Sequence, residues 1–183
     1  MTALTRRALV AGAGALIGLG LAPARASTKA EIDEAVARAI KEMRATVKGA
    51  SDLMARARGH LIMADVKKAG FVIGGEYGEG ILYVGGAPVD YYSVAAASFG
   101  LQAGVQRSHH ALFFMTEGAL RNFRTADGWQ AGADVEIVVP EDGIGLNVNT
   151  DTANRPVIGF IFGRQGLMAG ASLEGAKYSR IYR

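Results

Sequence analysis

Glycine spacing limits what this chain can fold into more than any other feature of the sequence. Residues 158–175 read IGFIFGRQGLMAGASLEG, with Gly159 and Gly163, then Gly166 and Gly170, each four apart and separated by apolar residues. The same interval recurs at Gly70–Gly74 and Gly100–Gly104. Glycine packs nothing and costs about 0.5–1 kcal/mol of backbone entropy relative to alanine inside a regular element. Repeated use of it therefore marks places where the backbone must coil or approach something closely. On a strand, residues i and i+4 point to one face, so each pair leaves a strip without side chains. Two readings follow: the strip permits sharp coiling and closure of a sheet, or an apolar ligand lies against it. A membrane-helix dimer motif has the same spacing, but Arg164 and Glu174 interrupt the apolar stretch that would be needed.

From His60 onward, short apolar runs punctuated by glycine predict strands near residues 60–64, 69–75, 80–85, 93–105, 109–115, 134–139, 157–163 and 166–173. Turns rather than long helices separate these runs, which argues for antiparallel pairing. Before them, Thr28-Lys29-Ala30-Glu31 fits a capping box. Ile32, Val36, Ala39, Ile40, Met43 and Val47 then fall within an arc of roughly 100° at helical pitch. Arg38, Lys41, Arg44 and Lys48 lie on the other side. This amphipathic helix either packs on a core or lies on lipid headgroups. Gly49 ends it, Ser51-Asp52 caps a short second helix reaching to about Arg58, and Thr116 starts a third running to Arg124. The expected fold is α+β: a glycine-rich antiparallel β-sheet, strongly coiled or barrel-like, with an N-terminal amphipathic helix and one or two short helices.

Residues 1–26 read as an export signal, not as part of this fold. Arg6-Arg7 precede a glycine-rich apolar run ending in Ala24-Arg25-Ala26, the basic, apolar and small-residue zones of a cleavable leader. The paired arginines and mild hydrophobicity point to the twin-arginine route, so a periplasmic or otherwise exported protein is expected, either free or peripheral on a membrane. Residues 27–183 form a single domain by length. The chain has 20 basic and 17 acidic residues, and removing Arg6, Arg7 and Arg25 leaves 17 of each. Formal neutrality removes the main support for nucleic-acid binding. Residues 27–68 carry nine basic and six acidic groups against eight and eleven in residues 69–183, an asymmetry suited to orientation on an anionic surface. There is no cysteine, so stability rests on packing.

Catalytic and metal motifs find little support. Gly170-Ala171-Ser172-Leu173-Glu174-Gly175 misses the nucleophile-elbow pattern by one residue. There is no phosphate loop, and Gly78-Glu79-Gly80 lacks the third glycine of a dinucleotide fingerprint. His109 and His110 are strand neighbours that point to opposite faces, one expected toward the core and the other toward solvent, so they do not converge on one ion. Glu76, Glu79 and Glu174 become an acid pair only if distant segments meet. No cofactor and no metal are expected.

Several blocks resemble the SYLF domain family: Ala69-Gly70-Phe71 after Lys68, Gly74-Gly75 with Gly78–Gly80, Gly100-Leu101-Gln102-Ala103-Gly104, and the closing Gly166-Leu167-Met168-Ala169-Gly170-Ala171-Ser172-Leu173-Glu174-Gly175. The resemblance covers roughly residues 30–183. Ala64 stands where relatives commonly carry proline, Tyr92 falls near a usual tryptophan, and His109 occupies an often acidic position. The resemblance implies binding of membrane lipids without catalysis, phosphoinositides and in some members actin being bound by eukaryotic relatives. An exported bacterial member meets no actin. By the same resemblance, Arg38, Lys41, Arg44 and Lys48 are the counterpart of a basic N-terminal segment that holds phosphoinositide, and Lys68 matches the lysine before the Ala-Gly-Phe block. Lys67 adds charge beside it; the pair also suits an exposed strand edge, where lysine discourages aggregation. The resulting expectation is a phospholipid- or membrane-binding module with a shallow apolar surface and a basic rim. The alternative is a structural or interaction protein of the cell envelope with a protein partner.

Overall fold

The computed structural model describes residues 26–70, 73–99, 104–132, 135–137, 155–166 and 173–183. Nearly all of the export-type segment, the Gly100–Ala103 stretch and residues 167–172 of the closing block lie outside these residues. Helices α1 (Lys29–Thr46) and α2 (Ala50–Arg56) precede the long strands β1 (Gly59–Gly70), β2 (Ile73–Val84), β3 (Ala87–Phe99) and β4 (Gly104–Phe114). Helix α3 (Glu117–Thr125) and strands β5 (Trp129–Gln130), β6 (Val135–Ile137), β7 (Val157–Gly166) and β8 (Lys177–Ile181) follow. All eight strands share one sheet in the order β5-β8-β3-β2-β1-β4-β7-β6, curled into a half-barrel. Six pairings are antiparallel and the edge pair β6–β7 is parallel.

Both faces of the sheet are covered by core. Alternation sends Ile62, Ala64, Ile81, Ala111, Phe113, Ile158, Phe160 and Phe162 toward α1 and α2, where Ile32, Val36, Ala39, Met43, Val47 and Leu53 meet them. Helix α1 starts where the capping box predicts: the Thr28 hydroxyl accepts from the Glu31 amide at 3.3 Å, and the Glu31 carboxylate accepts from the Thr28 amide at 2.6 Å. Its apolar arc packs on the sheet, while Arg38, Lys41, Arg44 and Lys48 stay exposed. Leu61, Met63, Leu82, Tyr92, Val94, Leu112 and Phe114 point the other way, toward Leu120 and Phe123 of α3 and toward Trp129 and Tyr178. Thr116 caps α3 through the Ala119 amide at 3.2 Å. Phe123 lies 4.6 Å from Phe114 and 4.7 Å from Tyr92, centroid to centroid, separations at which aromatic pairs attract beyond simple area burial.

A β-bulge in β1 shifts the pairing of that strand with both neighbours. Ala64 pairs with Glu79 but Lys67 with Tyr77, and Met63 pairs with His110 but Val66 with Ser108. Asp65, at φ 49°, takes the extra turn in the left-handed region, which aspartate tolerates better than most residues. The shift reverses alternation, so Val66 enters the α3 core, Lys67 joins the α1 face and Lys68 joins the α3 face.

Two predicted strands need redrawing. Residues 69–75 are not one strand: Gly70 pairs with Gly74 across a hairpin, so the stretch contains the end of β1 and the start of β2. Residues 93–105 likewise span the end of β3 and the start of β4. Apolar residues run on in the sequence past the end of each strand, so hydrophobicity alone does not mark where one strand ends and the next begins. Strand β8 was not predicted, because of its residues only Tyr178 is buried. His109 and His110 do point to opposite faces, but both are buried rather than one being exposed, because each face has its own cover.

The structure answers the glycine question at two positions. A Cβ on Gly80 would enter the backbone of Ile62 and Met63, and one on Gly78 would lie 2.6 Å from Val66 Cγ2. These glycines let β2 press against the bulged part of β1, and the strip they leave is filled by the protein's own chain. Gly75 has nothing within 4 Å of a built Cβ. Gly80→Ala is therefore expected to cost at least about 2 kcal/mol, whereas Gly75→Ala stays within about 0.5 kcal/mol of the parent. Urea denaturation of the two variants checks the difference, and equal midpoints would refute the close-approach account.

Candidate functional site

Helix α1 does not cover the whole of its face. Toward the glycine-rich ends of the strands, two cross-strand rows are left exposed. One row runs Ala95–Tyr77–Lys67–Arg107–Gln165, and the next runs Ala97–Gly75–Ala69–Val105. Small side chains make the second row a shallow apolar strip, and Val105 is 67% and Tyr77 52% exposed. Lys67 and Arg107 stand directly opposite each other on β1 and β4, and neither has an acidic partner among the described residues. Like charges facing each other across strands are unfavourable, and an anion between them relieves the repulsion.

A cavity of about 610 Å³ joins this row to the flank of α1, lined by Arg38, Asp65, Lys67, Tyr77, Glu79 and Arg107 among others. Arg38 bonds Glu34 at 2.5 Å and lies 3.9 Å from Asp65. Glu79 is 2.5 Å from Arg183 and accepts from the Tyr77 hydroxyl at 3.0 Å. Burial works to raise its carboxyl pKa, but hydrogen bonds from Ser27, Arg183 and Tyr77 outweigh it and hold the group below the usual carboxylate range. These acids are occupied, whereas Lys67 and Arg107 remain available.

The six cations proposed from sequence thus separate. Arg38 and Lys67 meet at the cavity. Lys41, Arg44 and Lys48 line the solvent side of α1, and the bulge sends Lys68 to the other face, opposite Glu76 and Gln106. Arg107 was missed, since only the strand register brings it to Lys67.

The α3 face holds a second polar group of residues, buried above Gly78. Glu76, Gln106, His110 and Tyr178 are at most 9% exposed, and each has at least one buried polar atom without a hydrogen bond. His110 Nε2 lies 3.4 Å from Glu76 Oε1 without hydrogen-bond alignment. Burial raises the Glu76 carboxyl, with Lys68 pulling it partway back. Burial also lowers His110 to about 3 and drives the Tyr178 phenol upward. Burial thus disfavours the charged form of both a carboxyl and an imidazole that would otherwise pair as ions. The arrangement is a carboxyl–histidine pair, but with His110 at 1% exposure it has no open path to a substrate. Glu79 lies on the opposite face from Glu76, so these two acids do not converge. Among the described residues no three His, Cys, Asp or Glu side chains could hold a metal ion, and no helix is long and apolar enough to cross a membrane.

The buried histidines determine a pH response. Burial, with Arg44 adding to it, lowers His60 to about 4, and His60 stacks on Tyr83 and Phe113. His109 is lowered by burial against the opposing pull of Glu42 and Asp65. A histidine depressed in the folded state takes up its proton first in the unfolded chain. Its stabilising contribution is complete above the ordinary 6.5 and is lost as pH falls toward the folded value. Glu76 has the opposite sign: its raised pKa favours folding below the ordinary 4.5 and weakens it as pH climbs through the folded value. With three histidines against one carboxyl, unfolding free energy should drop by at least about 2 kcal/mol between pH 6.5 and 4.5. Glu76→Gln should raise stability at pH 7 and lose that advantage below pH 4.5. Urea titrations across this range check both, and a flat profile would contradict the burial account.

A family model described as Ysc84, Las17-binding protein actin regulator, matches residues 95–181, from the middle of β3 to the end of β8. No curated protein matches the chain. The match includes β4 with its Arg107 and His110, and it coincides with the later blocks of the resemblance noted in the sequence. The match to the Ysc84 model over residues 95–181 is consistent with a member of the SYLF domain family.

Proposed function

We propose that this protein is an exported, non-catalytic module that binds anionic phospholipid surfaces through the uncovered part of its α1 face. The observation that carries the reading is the Lys67–Arg107 couple, without an acidic partner among the described residues, set directly beside the exposed Ala97–Gly75–Ala69–Val105 row. Cations attract the phosphate of a headgroup at about 1 kcal/mol each near a charged membrane, and the apolar row with Tyr77 takes the boundary between headgroup and acyl chain. Arg38 extends the cationic edge along α1. Lys41, Arg44 and Lys48 add longer-range attraction from the same side of the molecule. The SYLF resemblance supports lipid as the ligand class, and residues 1–26 support a periplasmic location with peripheral membrane association. The actin regulation named in the family description is not carried over, because an exported chain would not meet that partner. The buried Glu76–His110 pair serves the core and takes no substrate.

Vesicle co-sedimentation at low salt tests the reading. Protein lacking residues 1–26 should associate with phosphatidylcholine vesicles containing phosphatidylglycerol and not with phosphatidylcholine alone. Lys67→Ala/Arg107→Ala should weaken association about thirtyfold, from the loss of two cations at roughly 1 kcal/mol each. Lys68→Ala should change it less than about twofold, since that side chain faces the other way. Absence of binding to the anionic vesicles, or a double variant that binds like the parent, would overturn the proposal.

A further inference from the structure

A second cationic site lies on the opposite face of the sheet and at the other end of its strands. Helix α3 and strand β8 enclose an open pocket of about 460 Å³ lined by Glu117, Leu120, Arg121, Arg124, Thr125 and Arg180. Arg121 and Arg124 stand three residues apart and so project side by side from one helix face. Arg124 Nη2 and Arg180 Nη2 lie 3.4 and 3.5 Å from the same oxygen of Asp90. Arg180 Nη2 also donates to the Arg124 carbonyl at 3.1 Å. Asp90 on β3 thereby holds two guanidinium groups from different elements in a fixed relation, with part of each still exposed. Glu117 is engaged at 3.7 Å by Arg58. Arg121 has no ion pair among the described residues. Counting the groups that meet here, Arg58, Arg121, Arg124 and Arg180 face Asp90 and Glu117, a surplus of two positive charges.

The geometry points to a binding site for a phosphate monoester dianion, held by Arg121, Arg124 and Arg180. Guanidinium groups present planar pairs of N–H donors that match tetrahedral oxyanions, and a double negative charge balances the surplus. The shared aspartate lowers the cost of binding, because two of the three forks are already oriented before the ligand arrives. Leu120 supplies an apolar wall, so the bound group can carry an organic substituent. The phosphate can be soluble or can be the headgroup of a lipid such as phosphatidic acid. This site shares no residue with the Lys67–Arg107 face and does not depend on it.

Titration of inorganic phosphate and of phosphatidic acid vesicles into protein lacking residues 1–26 tests the assignment. Arginine side-chain NMR should show saturable phosphate shifts at Arg121, Arg124 and Arg180. Arg121→Ala should weaken phosphate binding at least tenfold, the loss of one charge-assisted contact, with unchanged thermal stability because that side chain holds no ion-pair partner among the described residues. Arg121→Lys should recover part of it, keeping charge without the fork. The Lys67→Ala/Arg107→Ala protein should bind inorganic phosphate like the parent. If that double variant also keeps an Arg121-dependent preference for phosphatidic acid over phosphatidylglycerol vesicles, the phosphate is lipid-borne; if only inorganic phosphate responds to Arg121, it is soluble. No saturable binding of either probe up to about 10 mM phosphate, or binding indifferent to Arg121→Ala, would overturn the site.

Discussion

The arrangement of this protein depends on one irregular residue, Asp65. Its left-handed backbone inserts an extra position into β1, and its amide donates to His109 Nδ1 at 3.0 Å. That hydrogen bond needs an unprotonated ring nitrogen, and burial beneath α1 keeps it so. The ring is held in turn by Phe162, 5.2 Å away, and by the close approach of Gly163, where a Cβ would strike both His109 and Glu42. Helix, bulge and β7 thus lock one another. Because a one-residue slip exchanges the two faces of a strand, this lock decides that Val66 fills the core and that Lys67 reaches the exposed row beside Arg107.

Much of the architecture could be read from the residues, for identifiable reasons. The capping box at Thr28–Glu31 and the periodic Ile32–Val47 arc are local signals, and local signals survive folding. Thr116 before Leu120 and Phe123 is another. What escaped reading depended on pairing. Nothing in Ala64-Asp65-Val66-Lys67 announces a bulge, since the left-handed turn is stabilised by a histidine 44 residues away. The separation of Lys67 from Lys68, the approach of Arg107, and the meeting of Arg124 with Arg180 over Asp90 all require knowing which strands are neighbours. Strand β8 escaped because a five-residue segment with one buried side chain has almost no periodic signature.

The glycines connect the two levels. At Gly78 and Gly80 they let the bulged strand approach closely, and on the same face the long side chains of His110 and Tyr178 share the interior with Glu76. Unpartnered polar atoms in a core are costly, and burial shifts the acid and the imidazole toward their uncharged forms, which reduces that cost. The apolar strip on the α1 face comes from the other parity of the same strands, where Gly75 and its alanine neighbours remain open. A single glycine-rich β2 therefore serves compaction on one side and exposure on the other.

The short outer strands have a consequence of their own. A sheet of four long central strands would present long rows of unsatisfied amides and carbonyls if it stopped there. Here β5 contributes two residues and β6 three at the two borders, and the β6 border is parallel where its neighbours are antiparallel. Among the described residues β5 and β6 themselves offer a newcomer strand only a brief template, while residues 160–166 of β7 run on past β6. Where they lie, such stunted margins hinder growth into fibres, and past β6 the charged Arg164 on β7 works in the same direction.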